Sequence, residues 1–252
     1  MTGSVKTSLA VAAVAGTLAM AGEAAAQAGG DTAFQITPYA WATGLGGNLT
    51  VGAQTVAIDK SFSDLIKDLD AAFFLSGYGR VDRFVFLGDL SWSSSSRAGI
   101  LPAPPAPAPL PAEGRLRQTS MTLAAGYRVA ETPGATFDLL GGLRHWRVNA
   151  RADVAALGVS GSRGDSFTDP IIGARLRADI APGWSTLIYA DIGGFGVGSE
   201  RTAQIVATVN YAVSDNLFLS AGYRHLQVDY RTGGLLVDAR MSGPILGATW
   251  RF

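Results

Sequence analysis

From Ala33 onward apolar residues recur at every second position, the period of a strand with one apolar face. In 202–213, Ala203, Ile205, Ala207, Val209, Tyr211 and Val213 share one face. Thr202, Gln204, Thr208 and Asn210 share the other, with Val206 the exception. In 166–181, Ile172, Ala174, Leu176, Ala178 and Ile180 oppose Asp169, Gly173, Arg175, Arg177 and Asp179. In 84–96, Phe84, Phe86, Leu90 and Trp92 oppose Asp89, Ser91 and Ser93. The last segment, 245–252, sets Leu246, Ala248, Trp250 and Phe252 against Ile245, Gly247, Thr249 and Arg251. Soluble domains usually finish in a frayed polar tail. An apolar face carried to a final aromatic needs an apolar neighbour.

The alternating segments are 33–43, 70–81, 84–96, 116–130, 136–150, 166–181, 184–197, 202–213, 216–230 and 237–252. Short breaks rich in Pro, Gly, Asn and Asp (81–83, 131–134, 181–183, 214–216) alternate with breaks at 44–69, 97–115, 156–165, 198–201 and 231–236. With an even number of strands the short turns fall on the side of both termini. This predicts an all-β fold, a transmembrane antiparallel up-and-down β-barrel of about ten strands, with about 8–12 compatible. Residues 48–58 (NLTVGAQTVAI) offer an extra strand or hairpin inside the first long loop.

A soluble sandwich also alternates, with its polar face outside. Three features favour a membrane barrel, apolar outside and polar within. The first is the N-terminus. Lys6 precedes an apolar run over 9–21, and small residues follow that permit cleavage after Ala26 or Ala28. That is the tripartite form of a secretory signal peptide, too short for a spanning helix. The chain therefore divides into a signal peptide, 1–28, and a barrel domain, 29–252. The second is the placement of Trp41, Tyr127, Trp146, Trp184, Tyr211, Tyr223 and Trp250 near strand ends, as interface girdles require. The third is the terminal strand. Lipid tolerates no open sheet edge, so Phe252 is expected to close the ring against 33–43.

Composition narrows the function. Apolar residues make up 48% and charged residues 16%, the formal net charge is zero, and there are 32 glycines and no cysteines. Disulfide and thiolate chemistry are excluded, and no basic surface for nucleic acid is implied. No later stretch holds 18 consecutive apolar residues, so the mature part has no helical span.

The stretches "PYAWATGLGGNLTV", "SFSDLIKDLD", "DPIIGAR", "DIGGFGVGSE", "AGYRHLQVDY" and "MSGPILGATWRF" extend from Pro38 to Phe252. On these the chain resembles a group of porin-like outer-membrane β-barrel proteins of Gram-negative bacteria. Glu200, Arg201 and the proline-rich 102–111 depart from the group. The resemblance implies fold, export to the outer membrane and contact with its lipid, and assigns no substrate. It also implies that Trp250 and Phe252 act in closure and as the sorting signal read by barrel-assembly machinery.

The candidate chemistry lies in the inward charges. On this register Arg80, Asp89, Arg128, Asp138, Arg144, Arg175, Arg177, Asp179, Asp191, Arg224 and Arg251 point into the lumen. They form either a selectivity lining, net positive and favourable to small anionic solutes, or an ion-pair network that holds a narrow barrel shut. Barrels of about eight strands are filled by side chains, which favours the network.

The segment 61–69 carries the one helical signal. Ser61 caps it, Asp64 completes a capping box, and Phe62, Leu65, Ile66 and Leu69 form a stripe that suits either a plug or a rim helix. Asp59, Asp64, Asp68 and Asp70 match no calcium-loop spacing, so no metal site and no cofactor is expected. His145 and His225 fall on the outward parity with no Ser or Asp motif beside them, so no enzyme is expected. A protease or lipid-modifying barrel remains the alternative. A surface-binding barrel using 44–69 and 97–115 is another, the latter loop holding the polyproline-like run 101–111. The glycine-rich 193–198 lacks the following helix of a phosphate loop and reads as strand end and tight loop.

Overall fold

The computed structural model describes residues 32–51, 54–101, 110–154, 159–232 and 235–252. The signal-peptide segment 1–28 and most of the proline-rich run lie outside the described residues. The strands are β1 (Thr32–Trp41), β2 (Gly44–Val51), β3 (Gln54–Lys60), β4 (Leu69–Val81), β5 (Phe84–Leu101) and β6 (Leu110–Thr132). They continue as β7 (Ala135–Val154), β8 (Val159–Ala181), β9 (Trp184–Gly193), β10 (Arg201–Ala212), β11 (Leu217–Thr232) and β12 (Leu235–Arg251). One short helix, α1 (Phe62–Asp68), precedes β4.

All pairings are antiparallel, and β1, β4 to β12 form a closed ring of ten strands. Closure is made where the apolar terminal face required it. Gln35 pairs with Arg251 and Trp41 with Ile245, and the Phe252 N–H donates to the Phe34 carbonyl at 2.9 Å. No edge is left along that seam. Two-residue turns join β4 to β5, β6 to β7 and β8 to β9 at the terminus-bearing end, and four residues join β10 to β11. Asp82 takes φ 53° in one turn, and Pro182 precedes Gly183 at φ 74° in another.

The first long connection is structured. β1 and β2 lie end to end along β12, β1 against 245–251 and β2 against 235–242. The break falls where Pro244 has no N–H to donate and where a Cβ on Gly243 would sit 1.9 Å from the Ala42 carbonyl oxygen. β3 pairs back on β2, so the hairpin expected within 48–58 spans 44–60 and extends the wall above the ring. The chain then enters α1, which lies against β2 and β5. The Ser61 hydroxyl accepts from the Asp64 N–H at 3.3 Å and donates to its carboxylate at 2.7 Å, a capping box with Asp in place of Glu. Phe62 and Leu69 stay exposed, and none of the described side chains of 61–69 joins the lumenal apolar clusters. α1 thus packs along the wall formed by β2 and β5.

The barrel is taller than the alternation suggested. Residues 97–101, 110–115, 151–154 and 159–165, read from the sequence as loop, are strand in β5 to β8. Here polar, small and apolar residues are mixed (RAGIL, LPAEGR, RADV, VSGSRGD), so no sustained period-2 signal exists. The backbone ladder alone carries the pairing, from Ser94↔Arg117 up to Asp153↔Ser160.

The outward face is an apolar band containing Phe84, Leu123, Leu143, Ile172, Ile192, Leu219 and Leu246, each roughly half exposed or more. Near the short turns Phe84 packs on Tyr127 at 5.6 Å and Trp184 on Tyr211 at 4.8 Å, between ring centroids. Tyr223 and Trp250 also face outward. Trp41 and Trp146 do not join this girdle. They occupy the inward parity of β1 and β7 and are 7% and 2% exposed, because parity, not nearness to a strand end, sets the face.

Candidate functional site

Two polar assemblies and an apolar cluster fill the lumen. The lower assembly, near the short turns, centres on Asp138 of β7, which is wholly buried. Its carboxylate accepts from Arg128 Nε of β6 at 2.9 Å, Arg175 Nη1 of β8 at 3.2 Å and the Tyr78 hydroxyl of β4 at 3.0 Å. Arg128 also donates to Tyr78 at 2.9 Å and to Glu131 at 3.2 Å, and the Arg175 guanidinium lies 4.0 Å above the Tyr78 ring.

The upper assembly runs across the barrel. Arg224 of β11 donates to Asp89 of β5 at 3.0 Å, to Tyr39 of β1 at 2.5 Å, and twice to the Gln204 carbonyl oxygen of β10. Tyr39 donates to Asp89 at 2.8 Å. The Gln204 amide donates at 3.3 Å to Asp191 of β9, and Asp191 accepts the two-pronged donation of Arg144 of β7 at 2.9 and 2.7 Å. Arg144 ends the belt on Thr122 of β6 at 3.0 Å and Thr202 of β10 at 3.3 Å. Asp138, Arg144 and Arg224 are 0%, 0% and 2% exposed. Charges so deep are tolerable only because each is paired and hydrogen-bonded.

Beyond the belt, toward the long connections, Trp41, Trp146, Leu226, Val228, Met241 and Ile245 form a buried cluster with Phe74 and Phe167 against it. Phe167 stacks on Trp146 at 6.2 Å and on Tyr230 at 4.1 Å. Val206, the exception in its strand's polar face, packs on this cluster and on a second one of Val85, Ala124, Leu140 and Tyr189. The β9–β10 connection also turns inward. Ser199 is 1% exposed and donates its N–H to Asp169 at 2.6 Å, with Asp169 directly opposite Arg144 in the β7–β8 pair.

Below the belt a cavity of about 160 Å³ remains, lined among others by Gln35, Arg175, Ser185, Asn210 and Arg251. Its lining residues come from the short-turn halves of the strands and stop at the Tyr39–Asp89–Arg224 level.

The sequence-derived set distributes as follows. Asp89, Arg144, Asp191 and Arg224 lie in the upper belt, and Arg128, Asp138 and Arg175 in the lower assembly. Arg177 pairs with Asp179 at 2.7 Å near the short turns. Arg80 donates to the Asp82 carbonyl at 2.8 Å beside its turn. Arg251 lies 4.4 Å over the Phe218 ring. The sequence reading missed Tyr39, Tyr78, Thr122, Thr202 and Gln204 as partners. Parity with the charged residues was the available signal. Thr122 and Gln204 lie directly opposite Arg144 and Asp191 on adjacent strands, whereas the Tyr39, Tyr78 and Thr202 contacts to Asp89, Asp138 and Arg144 join strands that are not neighbours.

Both histidines face outward, and each does meet a hydroxyl. His145 Nδ1 lies 2.9 Å from Thr168 and His225 Nδ1 lies 2.5 Å from Ser242, each across a strand pair. Among the described residues no carboxylate is bonded to either ring, and no cluster of three metal-ligating side chains occurs.

No protein-family model and no curated protein matches the chain. Solved structures do. The outer membrane protease OmpT from Escherichia coli superimposes with a TM-score of 0.55 at 10% identity, over 89% of this chain and 98% of OmpT. The translocator domain of the autotransporter NalP from Neisseria meningitidis gives a TM-score of 0.48 at 14% identity, over 93% and 95%. The attachment invasion locus protein Ail of Yersinia pestis, solved with a heparin analogue, gives 0.38 at 14% identity, over 88% and 98%. The chain has the up-and-down barrel fold of outer-membrane β-barrel proteins, and at these identities the likeness concerns fold alone.

Proposed function

We propose that the protein is an integral outer-membrane barrel that neither conducts through its full length nor catalyses a reaction. It serves as a filled structural barrel whose lumen is closed on the outer side and indented on the periplasmic side. The observation that carries this reading is the belt from Asp89 through Arg224, Gln204 and Asp191 to Arg144, roofed by the Trp41–Trp146 cluster. A conducting porin keeps water along its whole axis, whereas here a bonded chord and an apolar layer lie across it. The orientation follows the rule that short turns face the periplasm. In the same reading 1–28 is cleaved on export, outer-membrane lipid covers the apolar band, and the barrel-assembly machinery engages the terminal strand through Trp250 and Phe252.

The test is single-channel recording of the refolded protein in a planar bilayer, with heat-modifiable gel migration as proof of folding. Electrical silence from folded protein is expected. Steady ion-selective openings would reinstate a narrow porin-like channel, and Arg128→Ala or Arg175→Ala would then change its selectivity.

A second reading, a surface-binding barrel, is favoured by one feature. β5 to β8 rise above the apolar band as a polar sheet, with Arg117 and Arg147 exposed on its outer face. Removal of 101–111 without loss of binding to host or bacterial surfaces would count against it.

A further inference from the structure

We infer that the cavity at the short-turn end is a binding site for a small oxyanion, phosphate or carboxylate, held by Arg251. This rests on the reading above only for the side from which the anion enters.

The other arginines of the cavity wall and of the two assemblies are matched. Arg144 has Asp191, Arg224 has Asp89, Arg177 has Asp179, and Arg128 and Arg175 share Asp138, with Glu131 on Arg128. Arg251 is the one left over in the cavity wall. Among the described residues no carboxylate is in ion-pair contact with it, and its one recorded side-chain partner is the Phe218 ring at 4.4 Å. Its charged neighbours work against it. Arg175 and Arg177 are close enough to repel it, while Asp179, the opposite charge in range, is engaged by Arg177 at 2.7 Å.

A half-buried guanidinium facing two like charges inside a low-dielectric wall is a focus of positive potential. Its planar fork of donors matches the geometry of a carboxylate or phosphate. The surrounding wall supplies neutral hydrogen-bonding groups, Gln35, Thr37, Ser185, Asn210 and Thr249, suited to the remaining oxygens. A cavity of about 160 Å³ accommodates an ion of phosphate size with water. The belt above it closes the far side, so the anion enters and leaves by the same mouth.

The chain has no cysteine, which permits a single reporter. Gln35 lines the cavity and pairs directly with Arg251 across the closing seam. The protein carrying Gln35→Cys, refolded in lipid vesicles, is treated with negatively and positively charged methanethiosulfonate reagents, with and without inorganic phosphate or acetate. The negative reagent is expected to react about tenfold faster than the positive one. Phosphate should slow it, and both effects should vanish on adding Arg251→Gln. Arg177→Gln, which instead frees Asp179, serves as the second variant if Arg251→Gln does not fold, and should also reduce the preference. Equal rates for the two reagents, with no protection by either anion in folded protein, would overturn the inference. Silence in the bilayer recording with no protection defeats this inference alone. Protection in a protein that conducts defeats the sealed-barrel reading and leaves the anion site standing.

Discussion

The two halves of the lumen are built from the same parity of the same strands, yet they end up as opposites. At and above the Arg224 level the described inward residues include the bonded chord and then Trp41, Trp146, Phe167 and Met241. Below it the inward residues include Gly247, Thr37, Ser185 and Ser220, too small to meet across the ring, and the cavity is what they leave. Side-chain volume, not polarity, separates sealed from open. Both halves hold arginines, but Arg144 and Arg224 above each meet an acid from a non-adjacent strand, and Arg251 below meets none among the described residues.

The sharpest way to break this contrast is to orphan a charge. Asp138→Ala leaves Arg128 and Arg175 buried without their shared carboxylate and should cost about 3–5 kcal/mol in urea unfolding of the refolded barrel. Trp146→Ala opens the roof, at about 3 kcal/mol. It should let a thiol reagent added at the outer side reach a cysteine below the belt, and no gain of access would mean that the seal lies elsewhere.

Replacing the pair together, Arg144→Met with Asp191→Leu, should change stability by about 1 kcal/mol or less, because an apolar pair of similar size needs no desolvation. A loss as large as that of a single orphaned charge would make the belt a source of stability as well as closure. Outside the lumen, His145→Ala should stay within about 0.5 kcal/mol by the same unfolding assay, since it removes one outward contact to Thr168.

The helix α1 is the weakest point of all and is sensitive to acid. The Ser61 hydroxyl donates to Asp64 and holds its carboxyl below the usual carboxylate range. The cap therefore contributes fully above the ordinary carboxylate pKa and is lost as pH falls through the lowered value. Amide protection in α1, taken relative to the intrinsic exchange rate at each pH, should fall at acid pH, and Ser61→Ala should shift that loss upward in pH.

Much of this was readable in advance. The alternation in 202–213 and 166–181 assigns every residue in those strands to its face, and the ring closes on Phe252 as an apolar terminal edge demands. The failures have physical causes. Trp41 and Trp146 look like girdle residues by position along the strand, and only exact parity puts them inside. The upper parts of β5 to β8 mix polar, small and apolar residues, so the sustained periodicity that marks a half-buried strand is lost while the backbone ladder continues. Tyr39 meets Asp89 of β5 and Arg224 of β11, strands that approach it only when the sheet curls, whereas Gln204 sits opposite Asp191 and Thr122 opposite Arg144 in adjacent strands, contacts that follow from register.

The sequence by itself determined an antiparallel barrel, its two faces, its turns and the inward set of charges, since these follow from a period of two and from local turn chemistry. Arg128 and Arg175 meet Asp138 by register between adjacent strands, but only the tertiary structure decided that Arg224 meets Asp89 and Arg144 meets Asp191, and that among the described residues Arg251 has no acid in ion-pair contact. Those outcomes depend on distances between non-adjacent strands, set by strand number and stagger together, and no local pattern in the chain encodes a chord.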